Sequence, residues 1–219
     1  MARCATSDIV YIMEKAPLFS DSMRALVRIA GAVAGAPIAF TRRVMIEAIN
    51  VAPVVAVEEV LLQSYLFAGF PRALNAMRVW RDVSGLHAPS AEQSIDASAA
   101  ADMVRIGEQT CRKVYGHKYD ALRQSVSRLH PSLDAWMVRD GYGEVLSRPG
   151  LSLGERELCI VAACAASEQM PQLKSHLRGA RNCGASIEDL AQTLSALTDI
   201  VTREALIAAR EELNRIKES

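Results

Sequence analysis

Aromatic side chains make up only 5% of the 219 residues, so the core cannot be built on large rings and must be closed by small and aliphatic groups. Net charge is missing as well: 25 Lys and Arg balance 25 Asp and Glu. A neutral chain has no bulk basic face for phosphates and no acidic excess for cations, which makes nucleic acid a poor partner. No C-x-x-C pair occurs. The five cysteines, Cys4, Cys111, Cys159, Cys164 and Cys183, are odd in number and widely spaced. They read as buried thiols of a reducing compartment, not as a disulfide framework or a zinc site. His87, His117 and His130 fall on loops or helix ends without metal-ligand spacing, so no metal is expected. The longest apolar region near the start, Ala25 to Phe40, is interrupted by Arg28, Gly31, Gly35 and Pro37. It falls short of the roughly 20 residues of a membrane span. Asp8 and Glu14 interrupt the first fifteen residues, unlike a secretory signal. The expected location is therefore cytoplasmic, with no membrane partner.

Alanine is abundant instead, at 34 residues, the composition of closely packed helices. The apolar period is helical nearly everywhere and period-two alternation is absent, which predicts an all-α fold. Ser20 or Asp21 can cap a helix with the stripe Leu26, Ile29, Ala30, Val33, ended by Gly35 and Pro37. A second helix fits Ile38 to Ile46. A third begins at Glu58, and Gly69-Phe70-Pro71 turns it into another reaching Trp80. Further helices fit Ile95 to Val114, Tyr119 to Leu129, Ser132 to Val145, Ser152 to Ser167 and Pro171 to Asn182. Ser186 with Asp189 opens a final helix in which no Gly or Pro occurs through Ser219. Residues 84–94 thin to Gly, His, Pro, Ser and Gln, the one plausible linker. They divide the chain into residues 1–83 and 95–219.

Two segments match at a distance. Met23-Arg24-Ala25-Leu26 can be laid on Glu155-Arg156-Glu157-Leu158, and at the same offset Ala48 and Asn50 fall on Ala180 and Asn182. Glu58-Glu59-Val60 then matches Glu188-Asp189-Leu190 after a two-residue insertion. Under a duplication the first copy holds Ala25 and Val44 where the second holds Glu157 and His176, and is scaffold. Chance matching of alanine-rich helices is the competing explanation.

The stretch Tyr142-Gly143-Glu144-Val145-Leu146-Ser147-Arg148-Pro149-Gly150-Leu151 is followed by Glu155-Arg156-Glu157-Leu158, then Leu173 to Ala180 around His176, then Gly184 and Glu188. In that order these motifs resemble the carboxymuconolactone decarboxylase family of the alkylhydroperoxidase D-like superfamily. Val114-Tyr115-Gly116 to Tyr119 fits the same lead-in. The resemblance covers Val114 to Leu197 well and Ser22 to Met77 weakly, where Tyr65, Gly69, Phe70 and Pro71 are similar to the turn that closes the family repeat. It implies interlocking helix pairs in a homo-oligomer, and two repeats per chain make a homotrimer the expected assembly. It also implies conversion of a carboxymuconolactone to an enol-lactone with loss of carbon dioxide, or, for the peroxidase relatives, thiol chemistry on the pattern E-x11-C-x2-C-x3-H. Here that pattern reads Glu157, Gln169, Gln172, His176, so both thiols are missing.

The chemistry then rests on Glu157 and His176. His176 lies on the stripe Leu173, His176, Leu177, Ala180, and Glu157 shares a face with Val161 and Cys164. A buried acid–base pair suffices to move a proton next to a lactone carbonyl, and no cofactor is demanded. The bland alternative is a core histidine and a glutamate at a helix start. Arg148, Arg156 and Arg178 are candidate cations for a carboxylate on a small-molecule substrate, each with a surface ion pair as its plainer role. Tyr65 or Phe70 is expected beside His176. Counting residues along antiparallel helices places Glu157 and His176 about two turns apart, so contact through water or another side chain is expected. The expected function is a cofactor-free lyase or isomerase acting on a small lactone or carboxylic acid. A thiol antioxidant using Cys164, and a binding or scaffold protein without chemistry, are the alternatives.

Overall fold

In a computed structural model of the chain, the structure describes residues 17–88 and 97–217. Cys4, the first fifteen residues and most of the expected linker lie outside them. Among the described residues every regular element is helical: α1 (Asp21–Gly35), α2 (Ile38–Ala48), α3 (Val54–Ser84), α4 (Ala97–Tyr115), α5 (Tyr119–Leu129), α6 (Pro131–Trp136), α7 (Leu153–Ala166), α8 (Met170–Asn182), α9 (Ile187–Ser195) and α10 (Arg203–Lys217). A 3-10 turn at Gly116–Lys118 joins α4 to α5, and Met137–Val145 continues α6 as a π-helix.

The helix ends follow local chemistry. The Ser20 side chain accepts from Met23 N at the start of α1, and Ser152 with Glu155 and Ser186 with Asp189 form capping boxes on α7 and α9. These caps satisfy backbone donors that no intrahelical partner can reach. α3 bends at Gly69, whose φ of 78° belongs to the left-handed region, two residues before Pro71. By length and composition α3 could cross a membrane, with a mean hydropathy of 1.3 over its most apolar window. In this fold it is kinked and carries buried Glu59 and Gln63, while Arg72 donates to the carbonyls of Val33 and Ala36 at the end of α1.

The expected single final helix is two. Residues 196–202 leave helical geometry because Arg28 donates to the Ala196 carbonyl and binds Asp199 through both guanidinium nitrogens. Thr202 Oγ1 then accepts from Ala205 N and starts α10. Side chains that bond their own backbone compete with helix continuation even where no Gly or Pro is present.

α7 is the central element, with eleven of its fourteen residues buried, among them Arg156 and Glu157. It is wrapped by α1, α8, α3, α9 and α10. Small residues let the helices come close: a Cβ on Gly35 would lie 2.4 Å from the Ala166 carbonyl oxygen. The same device joins α4 to the π-helix, where a Cβ on Gly107 would lie 2.0 Å from Val138 O and one on Gly143 2.2 Å from Met103 O. The low aromatic content is consistent with such contacts, since backbones rather than rings fill the gaps. One spacing recurs along the chain. α7 and α8 begin at 153 and 170, and α1 and α2 at 21 and 38, a separation of 132 residues in both cases.

Gly107→Ala is expected to lower stability by about 1–3 kcal/mol, because the contact is with backbone that cannot rotate away. Chemical denaturation should show a reduced midpoint with unchanged slope. A midpoint equal to that of the parent would remove the close approach from the account.

Candidate functional site

Arg156 and Glu157 are neighbours on α7 and both are 0% exposed. Residues one apart on a helix point in different directions, and these two serve different partners. A buried charge without a partner is costly, so each has to be matched by a different helix.

Arg156 faces α3. Its NH2 donates to Glu59 Oε2 at 2.8 Å and to the carbonyls of Arg148 and Pro149, while its NH1 donates to Gln63 Oε1. Arg148 binds the same carboxylate, with Nε at 3.1 Å from Glu59 Oε1. Two of the three arginines expected to hold substrate are thus bound to Glu59, and neither lines the cavity described below. Composition cannot show this, because the glutamate lies far away in sequence and only the packing of α3 on α7 brings it near.

Glu157 faces α8. Its Oε2 lies 2.8 Å from His176 Nδ1, a direct contact where water or an intermediate side chain is expected from residue counting. The loop falls one residue earlier than the expected helix bounds. α7 ends at Ala166 and α8 begins at Met170, so Glu157 stands nine residues before the end of α7 and His176 six after the start of α8. A mismatch of three residues is about 4.5 Å along the axis, which a glutamate side chain spans. Room for the carboxylate comes from Gly179, where a Cβ would lie 2.6 Å from Glu157 Oε2. The second carboxylate oxygen, Oε1, is buried without a hydrogen-bond partner.

His176 is buried but lines a cavity of about 560 Å³. The ring is held edge-on by Phe67, with centroids 5.6 Å apart, and by Tyr115 at 6.4 Å. Tyr115 in turn packs edge-on against Tyr142 at 6.2 Å, and their hydroxyls are hydrogen-bonded to each other. Burial, opposed by that hydrogen bond and reinforced by the Glu157 charge, pushes Tyr115 above the usual phenol range. Burial and the Tyr115 and Glu157 charges raise Tyr142 as well. Both phenols therefore stay protonated and remain donors. The π-helix contributes Met137, Asp140, Gly141 and Tyr142 to the wall, in keeping with the tendency of such segments to occur at functional sites.

Tyr65 lines the cavity and Phe70 does not. Phe70 is 62% exposed and stacks on Tyr65 at 4.9 Å. The Gly69 kink turns it outward, and Phe67 occupies the place beside His176. Phe67, Tyr115 and Tyr142 are site residues that the sequence reading did not single out. Tyr115 and Tyr142 each precede a glycine in motifs that carry the family resemblance, which was the available signal. Cys164 is buried, and burial with the nearby Glu157 charge pushes its thiol up to about 12. Among the described residues no cluster of three or more His, Cys, Asp or Glu side chains comes together.

Residues 131–214 match the carboxymuconolactone decarboxylase family. The matched segment is less than half of the chain. It contains α7 and α8 complete, hence both members of the Glu157–His176 pair, while Tyr65, Phe67 and Tyr115 come from outside the matched residues. A relative, Peroxisomal protein 2 of Schizosaccharomyces pombe, is 29% identical over 144 residues, covering 65% of this chain and 67% of its own. The family segment thus forms one wall of the cavity, and α3 and α4 supply others.

Arg156→Ala removes one of the two guanidinium partners of the buried Glu59 carboxylate and leaves Gln63 Oε1 without its donor, and the expected loss is about 1–3 kcal/mol. Replacing Arg156 and Glu59 together by Met and Leu should cost less than Arg156→Ala alone. Equal costs, measured by thermal unfolding, would show that the pair is not coupled.

Proposed function

We propose that this carboxymuconolactone decarboxylase-like protein is a cofactor-free lyase or isomerase that moves a proton at a carbon next to a lactone or acyl carbonyl. The observation that carries this reading is the 2.8 Å contact between Glu157 Oε2 and His176 Nδ1 at the wall of a cavity large enough for a small molecule. An ionised carboxylate only accepts hydrogen bonds, so Nδ1 donates to Glu157 and Nε2 keeps its lone pair. Among the described residues no hydrogen bond engages Nε2, and the ring borders the cavity.

In the proposed reaction Nε2 takes a proton from the substrate carbon, and the electron pair moves into the carbonyl to form an enolate. Glu157 stabilises the imidazolium that results. Tyr115, kept protonated, donates toward the enolate oxygen, and Tyr142 donates in turn to the Tyr115 hydroxyl. The imidazolium then returns its proton to a different carbon, giving an isomer. In the decarboxylating variant the pair comes from the breaking bond to carbon dioxide, and an imidazolium present at the outset supplies the proton to carbon.

A thiol antioxidant role has less support. Gln169 and Gln172 stand at the two thiol positions of the peroxidase pattern, and a Cys164 thiol pushed up to about 12 offers little thiolate at neutral pH. The cavity and its buried pair favour chemistry over a purely scaffolding role. The recurring helix spacing supports reading α1–α3 as a degenerate copy of α7–α10, with Phe67 and Tyr65 of the first copy against His176 of the second. Three such chains would make a six-unit ring, placed by this reading in the cytoplasm. Sedimentation is expected to find a trimer, and a monomer at micromolar concentration would end the ring proposal.

Glu157→Gln tests the chemistry. Its amide can donate to Nδ1, which moves the imidazole proton to Nε2 and removes the base while keeping the packing. Turnover of small lactones should fall about 10²–10⁴-fold for Glu157→Gln and for His176→Ala. Undiminished turnover in both would refute the site.

A further inference from the structure

A second pocket of about 210 Å³ adjoins the cavity, and Tyr115 and Ser175 line both. The two differ in charge. Neither lysine nor arginine lines the main cavity, where Asp140 is the carboxylate. The adjoining pocket is lined by His117, Lys118, Arg178 and Arg181, with no acidic side chain. Arg181 is committed to the backbone, donating to the Ala185 carbonyl at 2.7 Å. Arg178 is half-buried, and no ion pair or hydrogen bond engages its guanidinium among the described residues.

One face of α8 connects the two spaces. Gln172, Ser175 and His176 border the cavity, while Ser175, Arg178 and Asn182 border the basic pocket. Ser175 and Arg178 are one turn apart, about 4.5 Å along the axis. Tyr115 and Ser175 form the shared border, so one molecule reaching from the cavity into the basic pocket passes over them. The other two arginines that could have held an anion, Arg148 and Arg156, are turned to Glu59 on the far side of α7.

We infer that the ligand of this site is an amphipath: an uncharged, largely apolar body in the main cavity and one anionic group over Lys118 and Arg178 in the adjoining pocket. This rests on the reading of the His176 cavity as the place where substrate binds. The main cavity offers an anion no lysine or arginine, its carboxylate Asp140 being paired with Arg139, and the apolar wall from Leu66, Phe67, Leu122 and Trp136 receives the body. A half-buried guanidinium without a carboxylate gains most from a charged ligand group, and bidentate recognition of a carboxylate or sulfonate suits its geometry. The short reach between Ser175 and Arg178 makes the anionic group part of the same molecule as the reacting carbonyl.

Two fluorescent probes of matched body separate the possibilities: anilinonaphthalenesulfonate, which carries an anion, and N-phenyl-1-naphthylamine, which does not. The parent protein is expected to bind the sulfonate about three- to tenfold more tightly than the neutral probe, with added salt weakening the sulfonate alone. Arg178→Ala combined with Lys118→Ala should abolish that preference and leave binding of the neutral probe unchanged, which also shows that the variant is folded. Equal affinity for both probes in the parent, or a preference that survives the double substitution, overturns the inference. Failure of either probe to bind, with turnover still lost in His176→Ala, would overturn the amphipath and leave the catalytic pair standing. Loss of neither binding nor turnover on closing the cavity with Ser175→Trp would instead remove the site itself.

Discussion

Two adjacent charges on a helix that is buried on all sides set the terms for the rest of the molecule. Arg156 and Glu157 cannot reach solvent from α7, so the fold has to bring a counter-group to each from opposite directions. Glu59 arrives on α3 and His176 on α8. Satisfying one charge aligns the first half of the chain on α7, and satisfying the other aligns α8 and the cavity behind it. A structural ion pair and a candidate chemical pair are thus held in place by the same turn of helix. The first has every reason to stay closed. The second leaves one histidine nitrogen directed to the cavity side and one carboxylate oxygen without a protein partner, as expected where polar groups are kept available for a reaction.

The cavity depends on close helix packing nearby. The contacts at Gly107 and Gly143 press α4 against the π-helix until their backbones touch, and this brings Tyr115 from one and Tyr142 from the other into edge-on contact. Gly179 does the same for the acid–base pair by leaving room for the glutamate carboxylate. A chain poor in aromatics therefore concentrates several of them around one histidine: Tyr65, Phe67, Tyr115, Trp136 and Tyr142 line a single space. The resulting wall is apolar, with donors at a few points, which is the usual character of a small-molecule site.

Periodicity and capping residues were enough to place the helices, because those signals are local. Ser20 and Ser186 cap the helices they were expected to open, and Ser152, expected as the first residue of its helix, caps it; Glu157 and His176 were drawn from the family pattern. The break at residues 196–202 was not legible. It depends on Arg28, a residue remote in sequence whose guanidinium captures Asp199 and the Ala196 carbonyl. The same is true of Arg148 and Arg156: their charge suggested substrate binding, and the packing of α3 assigned them to Glu59.

What the sequence carried by itself was the helical class, encoded in the spacing of apolar residues, and the resemblance of residues 131–214 to a family, whose pattern named Glu157 and His176 as the candidate pair. Tertiary structure alone decided that Glu157 touches His176 directly, that Phe67 and not Phe70 lies beside the imidazole, and that Arg178 remains beside the cavity while its two counterparts do not. These outcomes depend on three-residue offsets between helices and on the direction of a glycine kink. Distances of one helical turn are set by how whole helices pack against one another, and no local pattern of residues carries that information.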